Sequence, residues 1–290
     1  MKKILITGAG SFVGDYVQGH LEKWPEKYQV ESVGTIQGEW KEMDFSSFDV
    51  VYHVAGLAHS DVGNVTDEIK QKYYAVNAKL AIDVAKKAKA EGVKQFIFMS
   101  SAIIYGDSSP IGEKKIITKE TDYSPANFYG DSKVQAEKGI IPLAADDFKV
   151  VILRCPMIYG KGGKGNFPVL EKLAMKMPLF PKIDNARSML YVGNLAEFVR
   201  LMIENEESGI FWPCNREWSN TSQLVKMIAS CNGKNVRLVP GFGWALKLMS
   251  HLTGYVNKAF GSLAYEQGLG DYKTEYRLFS LEQSIEKTVG

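Results

Sequence analysis

Several features are scarce in this chain of 290 residues, and each scarcity excludes a class of protein. There are only three cysteines, an odd number without paired spacing, which fits a reducing compartment better than a disulfide framework. No apolar run reaches the ~18 residues of a membrane span, and the first apolar run is too short for a signal peptide. The net charge of +2 gives no reason to expect nucleic acid or an anionic membrane as a partner. We therefore expect a soluble, cytoplasmic protein.

Metal ligands are also sparse. The four histidines are His20, His53, His59 and His251, and none has ligand spacing except a distant pair of His53 and His59. A core or strand-end role is the expectation for each of them. We therefore expect no metal site.

Short apolar runs alternate with longer segments of helical period. The strand-like runs are Ile4–Thr7, Val30–Gly34, Val50–Ala55, Gln95–Ser100 and Val150–Pro156. The helical segments between them are Val13–Trp24, Asp67–Glu91 and Phe128–Ala145. Strands that are apolar throughout are typical of a parallel sheet covered on both faces. The alternation predicts an α/β fold with a doubly wound parallel Rossmann sheet.

This rhythm changes near residue 161. We expect residues 1–160 to form a nucleotide-binding Rossmann domain and residues 161–290 a smaller α/β lobe that binds substrate, with some later segments returning to the sheet. Ser280 and Gln283 predict a capping box at the start of a final helix. The apolar stretch Trp244–Val256 is interpreted as a buried helix of the lobe rather than as a helix on a membrane surface.

A glycine-rich turn follows the first strand and opens the first helix. It reads Thr7-Gly8-Ala9-Gly10-Ser11-Phe12-Val13-Gly14. Backbone N–H groups at such a helix start can approach a pyrophosphate. Glycines that serve only to give positive φ would look the same, so the turn alone is weak evidence. Its place between a strand and an amphipathic helix favours a dinucleotide site.

A second motif places a tyrosine and a lysine one helical turn apart. Tyr129 and Lys133 stand at positions i and i+4, which share one face of a helix. Lowering a phenol from a pKa of ~10 to ~7 requires about 4 kcal/mol of preferential stabilisation of the anion. We expect this only when the lysine acts together with a second positive charge. Because such a pair often occurs by chance on surface helices, the spacing alone is weak evidence.

These motifs resemble the extended short-chain dehydrogenase/reductase family, of the NAD-dependent epimerase/dehydratase type. Its fingerprint is Thr-Gly-x-x-Gly-x-x-Gly, and Ser11 stands here in place of the middle glycine. The other matching segments, in chain order, are 51–56, 76–78, 100–106, 129–133 and 154–160. The resemblance implies an enzyme that transfers hydride at a carbon of a nucleotide-diphosphate sugar.

The same resemblance implies roles for individual residues. Ser101, Tyr129 and Lys133 would be catalytic, with Tyr129 as acid and base, Ser101 bonded to the substrate oxygen and Lys133 holding the nicotinamide ribose. The expected cofactor contacts, besides Tyr129 and Lys133, are Gly8, Gly10, Ser11, Phe12, Val13, Gly14, Asp44, Phe45, Val54, Ala55, Gly56, Asn77, Ser100, Pro156 and Met157. Two simpler interpretations stay open, namely Ser100 as a strand-end cap and Asp44 as a turn residue before Ser46.

The form of the cofactor depends on the end of the second strand. In the family, an acidic residue there binds the ribose 2′-hydroxyl and marks NAD. Counting along the sequence puts Gly34 at that position, with no carboxylate and no following arginine. The cofactor is expected to be NAD or NADP, and the sequence favours NADP.

The reaction is narrowed by the segment Ser101-Ala102-Ile103. Similar sugar 4,6-dehydratases carry Thr-Asp-Glu there, and without such an acid and base water is not readily eliminated. A 4-epimerase or a reductase of 4-keto sugars remains, and the sequence does not separate these two. The second half resembles the branch that acts on UDP-HexNAc-type sugars in polysaccharide biosynthesis.

That branch resemblance implies three substrate contacts, Asn166, Phe167 and Arg187. Arg187 would pair with the substrate diphosphate, since a guanidinium binds phosphate in a bidentate manner. Asn166 would add backbone donors at a helix start. The simpler alternatives are a surface ion pair for Arg187 and a plain N-cap for Asn166.

Two other expectations follow from the resemblance. The long segments Asp67–Glu91 and Phe128–Ala145 match helices through which family members form homodimers. A catalytically silent, NAD(P)-binding redox sensor of the same fold is the alternative function. It is disfavoured because such proteins usually lack the tyrosine and lysine that this chain retains.

Overall fold

The computed structural model describes residues 1–58, 65–243, 246–248 and 254–290. The predictions for His59, for His251 and for most of Trp244–Val256 fall outside these residues. Within the described ranges, no helix is both long enough and apolar enough to cross a membrane.

The described secondary structure alternates between strands and helices along most of the chain. In chain order the strands are β1 (Lys2–Thr7), β2 (Tyr28–Val33), β3 (Val50–His53), β4 (Gln95–Ser101), β5 (Ile116–Ile117), β6 (Lys149–Cys155), β7 (Met157–Tyr159), β8 (Leu179–Pro181), β9 (Met189–Tyr191), β10 (Gly209–Phe211), β11 (Arg237–Val239) and β12 (Ala264–Tyr265). The α-helices are α1 (Phe12–Leu21), α2 (Glu39–Glu42), α3 (Asp67–Tyr73), α4 (Ala81–Ala90), α5 (Phe128–Ile140), α6 (Asn166–Lys176), α7 (Val192–Glu204), α8 (Thr221–Cys231), α9 (Gly254–Phe260) and α10 (Leu281–Val289). A π-helical segment, Tyr74–Leu80, joins α3 to α4. The expected helix 67–91 is therefore a continuous helical segment that changes from α to π and back to α.

The chain folds into two compact units, and each is discontinuous in sequence. The sheet unit comprises Met1–Gly106, Tyr123–Cys155 and Leu195–Pro213. The second unit comprises Asp107–Asp122, Pro156–Asn194 and Cys214–Gly290. This division differs from a single boundary after residue 160, because β10 returns late in the chain to pair with β6 and an early segment carries β5 to pair with β12. That the second unit binds substrate stays a prediction.

The sheet unit contains six parallel strands in the order β10-β6-β4-β3-β1-β2. The expected doubly wound parallel α/β sheet is confirmed. From β1 the chain moves to one side to form β2 and then crosses to the other side to form β3. Ligands of such sheets bind in the crevice at the carboxyl ends of the strands, where the order reverses. Here that crevice lies between the ends of β1 and β3.

The main core of the sheet unit is an apolar cluster that joins the sheet to α4 and α5. Its fully or almost fully buried members are Leu5, Trp40, Phe45, Phe48, Val51, Ala81, Val84, Ala85, Ala88, Val93, Phe96, Phe98, Ala136, Ile140, Phe148, Val150 and Ile152. Removing these apolar side chains from water stabilises the fold by roughly 25 cal/mol per Å² of apolar surface buried. The cluster fixes α5, which carries Tyr129 and Lys133, against the sheet.

The second unit is built from short parallel strand pairs and amphipathic helices. β7 pairs with β9, β8 pairs with β11 and β5 pairs with β12. The helix α10 begins at the expected capping box, in which the Ser280 hydroxyl accepts from the Gln283 backbone and the Gln283 side chain accepts from the Ser280 backbone.

Replacing Ser280 with alanine removes one side of this capping box. We expect Ser280→Ala to lower the free energy of unfolding by about 1 kcal/mol, because an N-terminal donor of α10 loses its partner. Urea unfolding monitored by circular dichroism measures the loss. Ser230→Ala, an exposed change in α8, is the matched control and should stay within about 0.5 kcal/mol of the parent. Equal effects of the two substitutions would contradict the stabilising role of the cap.

Candidate active site at the carboxyl edge of the sheet

The glycine-rich turn is held tightly at the crevice. Gly8 has φ 116°, and a Cβ atom there would lie 2.7 Å from the backbone nitrogen of Ala55. The N–H groups of Gly8 and Ala9 donate to the carbonyl of Val33 at 2.9 and 3.1 Å. These contacts tie together the ends of β1, β2 and β3. Only glycine allows this approach.

The start of α1 fits a pyrophosphate. Ser11 is the N-cap, and its hydroxyl accepts from the N–H of Gly14 at 3.1 Å. Phe12 and Val13 are the first helical residues, whose N–H groups have no acceptor within a helix. Such donors at a helix start bind phosphate oxygens. Ser11 therefore caps the helix where the family fingerprint has glycine, and Gly10 keeps the turn open with φ 74°.

The loop after β3, which contains Val54, Ala55 and Gly56, is anchored by Asn77. This asparagine is fully buried in the π-helical segment. Its amide accepts from the N–H of Leu57 at 2.7 Å and donates to the Leu57 carbonyl at 3.0 Å. It also donates to the Ser132 hydroxyl at 3.1 Å. The structure thus shows Asn77 fixing the loop beside the crevice, while its contact with a cofactor stays a prediction.

The structure brings the predicted serine and tyrosine together. Ser101 ends β4, and its hydroxyl accepts from the N–H of Ile103 at 3.3 Å. Tyr129 lies in the first turn of α5, behind the N-cap Asn127. The Ser101 hydroxyl lies close enough to the Tyr129 phenol to lower its pKa. A hydroxyl and a phenol therefore meet at the carboxyl end of β4.

The phenol of Tyr129 is held in its neutral form. Burial raises the pKa of Tyr129 to about 12, and the Ser101 hydroxyl opposes part of this shift. The ring of Tyr73 packs edge-on against it, with 5.9 Å between the ring centroids. At neutral pH the protein alone therefore supplies a proton donor at this position.

Lys133 is buried, as few lysines are, and only 6% of its surface is exposed. Burial lowers the pKa of Lys133 to about 8, against the opposing charge of Glu137. Its ammonium donates to the Met99 carbonyl at 2.8 Å and lies 4.7 Å from the centroid of the Phe98 ring. A Cβ at Gly56 would come within 3.3 Å of the ammonium, so the lysine borders the loop after β3.

His53 fills the core behind this site. It is fully buried, and its Nδ1 lies 2.8 Å from the hydroxyl of Thr7. Burial, with a contribution from the charge of Lys133, lowers the pKa of His53 to about 3. The imidazole is therefore neutral, in the core position expected from the sequence.

Sequence reasoning missed a buried ion pair one helical turn from Lys133, which was predicted to be catalytic. Arg154 donates to Glu137 through Nη2 at 2.7 Å and through Nε at 3.1 Å. The Tyr123 hydroxyl also donates to Glu137, at 2.8 Å. The Ser100 hydroxyl donates to the same carboxylate, which accounts for its burial, and a contact of Ser100 with the cofactor stays a prediction. The sequence signal that could have shown Glu137 near Lys133 was its position four residues later on α5, which places both on the same face of the helix.

Asp44 and Phe45 occupy a turn before β3. The Asp44 carboxylate accepts from the N–H of Ser46 at 2.8 Å, and the Ser46 hydroxyl together with this N–H holds the pKa of Asp44 below its ordinary value. Phe45 is fully buried in the core, and its N–H donates to Glu91 at 2.6 Å. The observed contact of Asp44 is therefore the one expected of a turn residue before Ser46. A contact of either residue with adenine stays a prediction.

The end of β2 differs from the sequence expectation. Gly34 lies there as counted, but the carboxylate of Glu39 reaches it from the start of α2. A Cβ at Gly34 would be 2.8 Å from Oε1 of Glu39. Sequence counting missed this because the acidic group comes from five residues further along the chain.

The remaining predicted contacts lie in the second unit. Asn166 is the first residue of α6, whose N-cap is Gly165, so the N-cap interpretation of Asn166 is wrong. The Phe167 ring is buried and stacks on Tyr159, with 5.2 Å between centroids, so its side chain belongs to the core. The Arg187 guanidinium donates to the Gly261 carbonyl at 3.3 Å, and burial lowers its pKa. Pro156 is buried and Met157 begins β7. Substrate or cofactor binding by these residues stays a prediction.

The strand order, the glycine cradle and the hydroxyl–phenol pair define a Rossmann-fold protein whose crevice fits a dinucleotide. Residues 4–211 match the model of the NAD-dependent epimerase/dehydratase family. The chain belongs to this family, which confirms the resemblance seen in its motifs. The family supports a nicotinamide dinucleotide as cofactor.

Individual relatives support the same conclusion. A UDP-glucose 4-epimerase from Vibrio cholerae is 29% identical over 274 residues, which cover 87% of this chain and 83% of that protein. A dTDP-4-dehydrorhamnose reductase from Bacillus anthracis, solved with NADP, has a TM-score of 0.73 at 19% identity, covering 99% of this chain and 98% of the other. A UDP-glucuronic acid 4-epimerase from Bacillus cereus, solved with NAD, has a TM-score of 0.72 at 18% identity, covering 99% and 97%. At these identities the solved structures show a shared fold.

The buried ammonium of Lys133 gives a testable dependence of stability on pH. Its pKa is about 8 in the folded chain against 10.5 ordinarily, so the unfolded chain binds more protons between these values. The free energy of unfolding therefore increases as the pH rises from about 8 to 10.5. From about pH 7 to about pH 9.5, we expect the difference in unfolding free energy between the parent and Lys133→Met to shift by about 2 kcal/mol in favour of the parent.

Urea unfolding at both pH values measures this shift. Lys138→Met is the matched control, because Lys138 is an exposed lysine of the same helix and should show no such shift. Parallel pH profiles for the parent and Lys133→Met would contradict the desolvation of Lys133.

Proposed function

We propose that this chain is a nucleotide-sugar 4-epimerase that works by hydride transfer at C4, with a UDP-linked sugar of the HexNAc type as substrate. The observation that carries the proposal is that Ser101, at the carboxyl end of β4, lies beside the Tyr129 phenol in the same sheet unit as the glycine cradle. Ligands of Rossmann sheets bind at that edge.

In this proposal Tyr129 is the acid and base. Its phenol exchanges a proton with the C4 oxygen of the sugar, and Ser101 shares the hydrogen bond to the same oxygen, steadying charge as it develops. The protein alone keeps the phenol protonated, with its pKa near 12, so Tyr129 begins as the donor. Deprotonation requires a positive charge close to the phenol.

Lys133 contributes position and charge. Its ammonium is fixed by the Met99 carbonyl and borders Gly56, where the nicotinamide ribose of the cofactor would be held. The other cofactor contacts are proposed for the N–H groups at the start of α1 and for the loop after β3. When bound, the cofactor supplies the acceptor and donor of hydride.

The segment after Ser101 favours transfer without elimination. Ala102 is buried and Ile103 is aliphatic, so neither residue supplies an acid or a base for the removal of water. An epimerase is preferred to a reductase because a UDP-glucose 4-epimerase is 29% identical to this chain over 274 residues, whereas the reductase solved with NADP is 19% identical. A silent redox-sensing module is disfavoured because Tyr129 and Lys133 are both present and both placed at the crevice.

Loss of the phenolic hydroxyl tests the proposal. We expect Tyr129→Phe to lower the turnover of UDP-GlcNAc, without added cofactor, by about 10² to 10⁴ fold, the usual contribution of a placed acid and base. NMR detection of the C4 epimer measures the turnover. Cofactor binding should be retained, because the ring remains in place.

Tyr74→Phe is the matched control, since it removes a phenol that donates to Asp131 at 2.9 Å rather than the phenol beside Ser101. It should keep nearly full turnover. Full activity of Tyr129→Phe would contradict the assignment of the acid and base. Turnover seen only as consumption of NADPH with a 4-keto sugar would replace the epimerase with the reductase.

A further inference from the structure

The adenosine end of a dinucleotide site is determined by the end of β2. Val33, the last residue of that strand, accepts the N–H groups of Gly8 and Ala9. Gly34 therefore follows directly on the residue that anchors the glycine cradle. In Rossmann sheets, a group at this strand end meets the 2′ position of the adenosine ribose.

A carboxylate occupies that strand end. A Cβ built on Gly34 would lie 2.8 Å from Oε1 and 3.1 Å from Oε2 of Glu39. The N–H of Gln37 donates to Oε2 at 3.1 Å, which holds the carboxylate back over the strand. Any larger residue at position 34 would displace it. Gly34 lacks a carboxylate of its own but admits the acidic side chain of Glu39.

We propose that Glu39 selects NAD over NADP by accepting a hydrogen bond from the ribose 2′-hydroxyl and by repelling a 2′-phosphate. This assignment rests on the proposed cofactor site and reverses the preference for NADP that the sequence favoured. A phosphate dianion beside a carboxylate is disfavoured by like charge, whereas a hydroxyl gains an ionised acceptor. The selecting carboxylate thus comes from α2 instead of from the strand end itself.

A solvated acidic residue without a role in recognition is the alternative. Glu42 provides the comparison, because it lies in the same short helix and is also exposed. The three atoms nearest to a Cβ built on Gly34 all belong to the Glu39 carboxylate group. Substituting these two residues separately isolates the effect of position from that of charge.

The experiment measures dissociation constants of NADH and NADPH for the full chain, freed of nucleotide, by the change in nicotinamide fluorescence. We expect the parent to bind NADH about 100-fold more tightly than NADPH, because the Glu39 carboxylate would attract the 2′-hydroxyl of NADH and repel the 2′-phosphate of NADPH. Glu39→Gln keeps an acceptor but loses the charge, and the ratio should fall to within about threefold. Glu42→Gln should leave the ratio of the parent unchanged.

A rescue variant adds specificity. The Gly34 backbone is outside the positive-φ region, so an aspartate there is not strained, and its Cβ displaces only the flexible end of the side chain at position 39. Gly34→Asp combined with Glu39→Gln returns a carboxylate to the strand end, and we expect it to restore the preference for NADH.

Two results would overturn the assignment. The first is a parent chain that binds NADPH as tightly as NADH, and the second is a Glu39→Gln variant whose ratio changes no more than that of Glu42→Gln. Either result leaves the proposed function intact, because nucleotide still binds. A parent chain that binds neither nucleotide would overturn the proposed function and this assignment together.

Discussion

Desolvation at the carboxyl edge of the sheet is the constraint on which the site depends. Packing of α5 against β4 shields the half-buried Tyr129 and the buried Lys133 from water, and each is thereby pushed toward its neutral form. A phenol with a pKa near 12 is protonated at neutral pH, and a positive charge bound beside it would be needed to favour its anion. The reactivity proposed for this chain thus depends on what binds beside the pair as well as on the pair itself.

The fold maintains that constraint through contacts on both sides of the crevice. Gly8 brings β1 within contact of the loop after β3, and Asn77 holds the loop against α5 through Ser132. Behind α5, the buried pair of Glu137 and Arg154 satisfies charges that would otherwise be isolated. Removing one partner of such a pair is strongly unfavourable, so the network also restricts how α5 can move.

Periodicity and local motifs were sufficient to predict the sheet, the helix that carries Tyr129 and Lys133, and the capping box at Ser280. These features depend on residues close together in sequence. The position of the Glu39 carboxylate and the pairing of Glu137 with Arg154 could not be predicted, because both depend on contacts that form only in the folded chain. Phe167 shows the opposite case, since a motif match suggested a substrate contact while packing on Tyr159 places its ring in the core. The second unit was not fully predicted for the same reason, because residues 107–122 join it from early in the chain through the pairing of β5 with β12.

The most direct test of the account is an ultraviolet difference titration of the Tyr129 phenol, taken as the parent minus Tyr129→Phe. An ordinary phenol is half ionised at about pH 10. The account predicts no phenolate signal from Tyr129 at that pH in the free chain, and its appearance when oxidised NAD is added. A phenolate signal from the free chain at the ordinary pKa would contradict the claim that packing at the sheet edge holds this phenol in its protonated form.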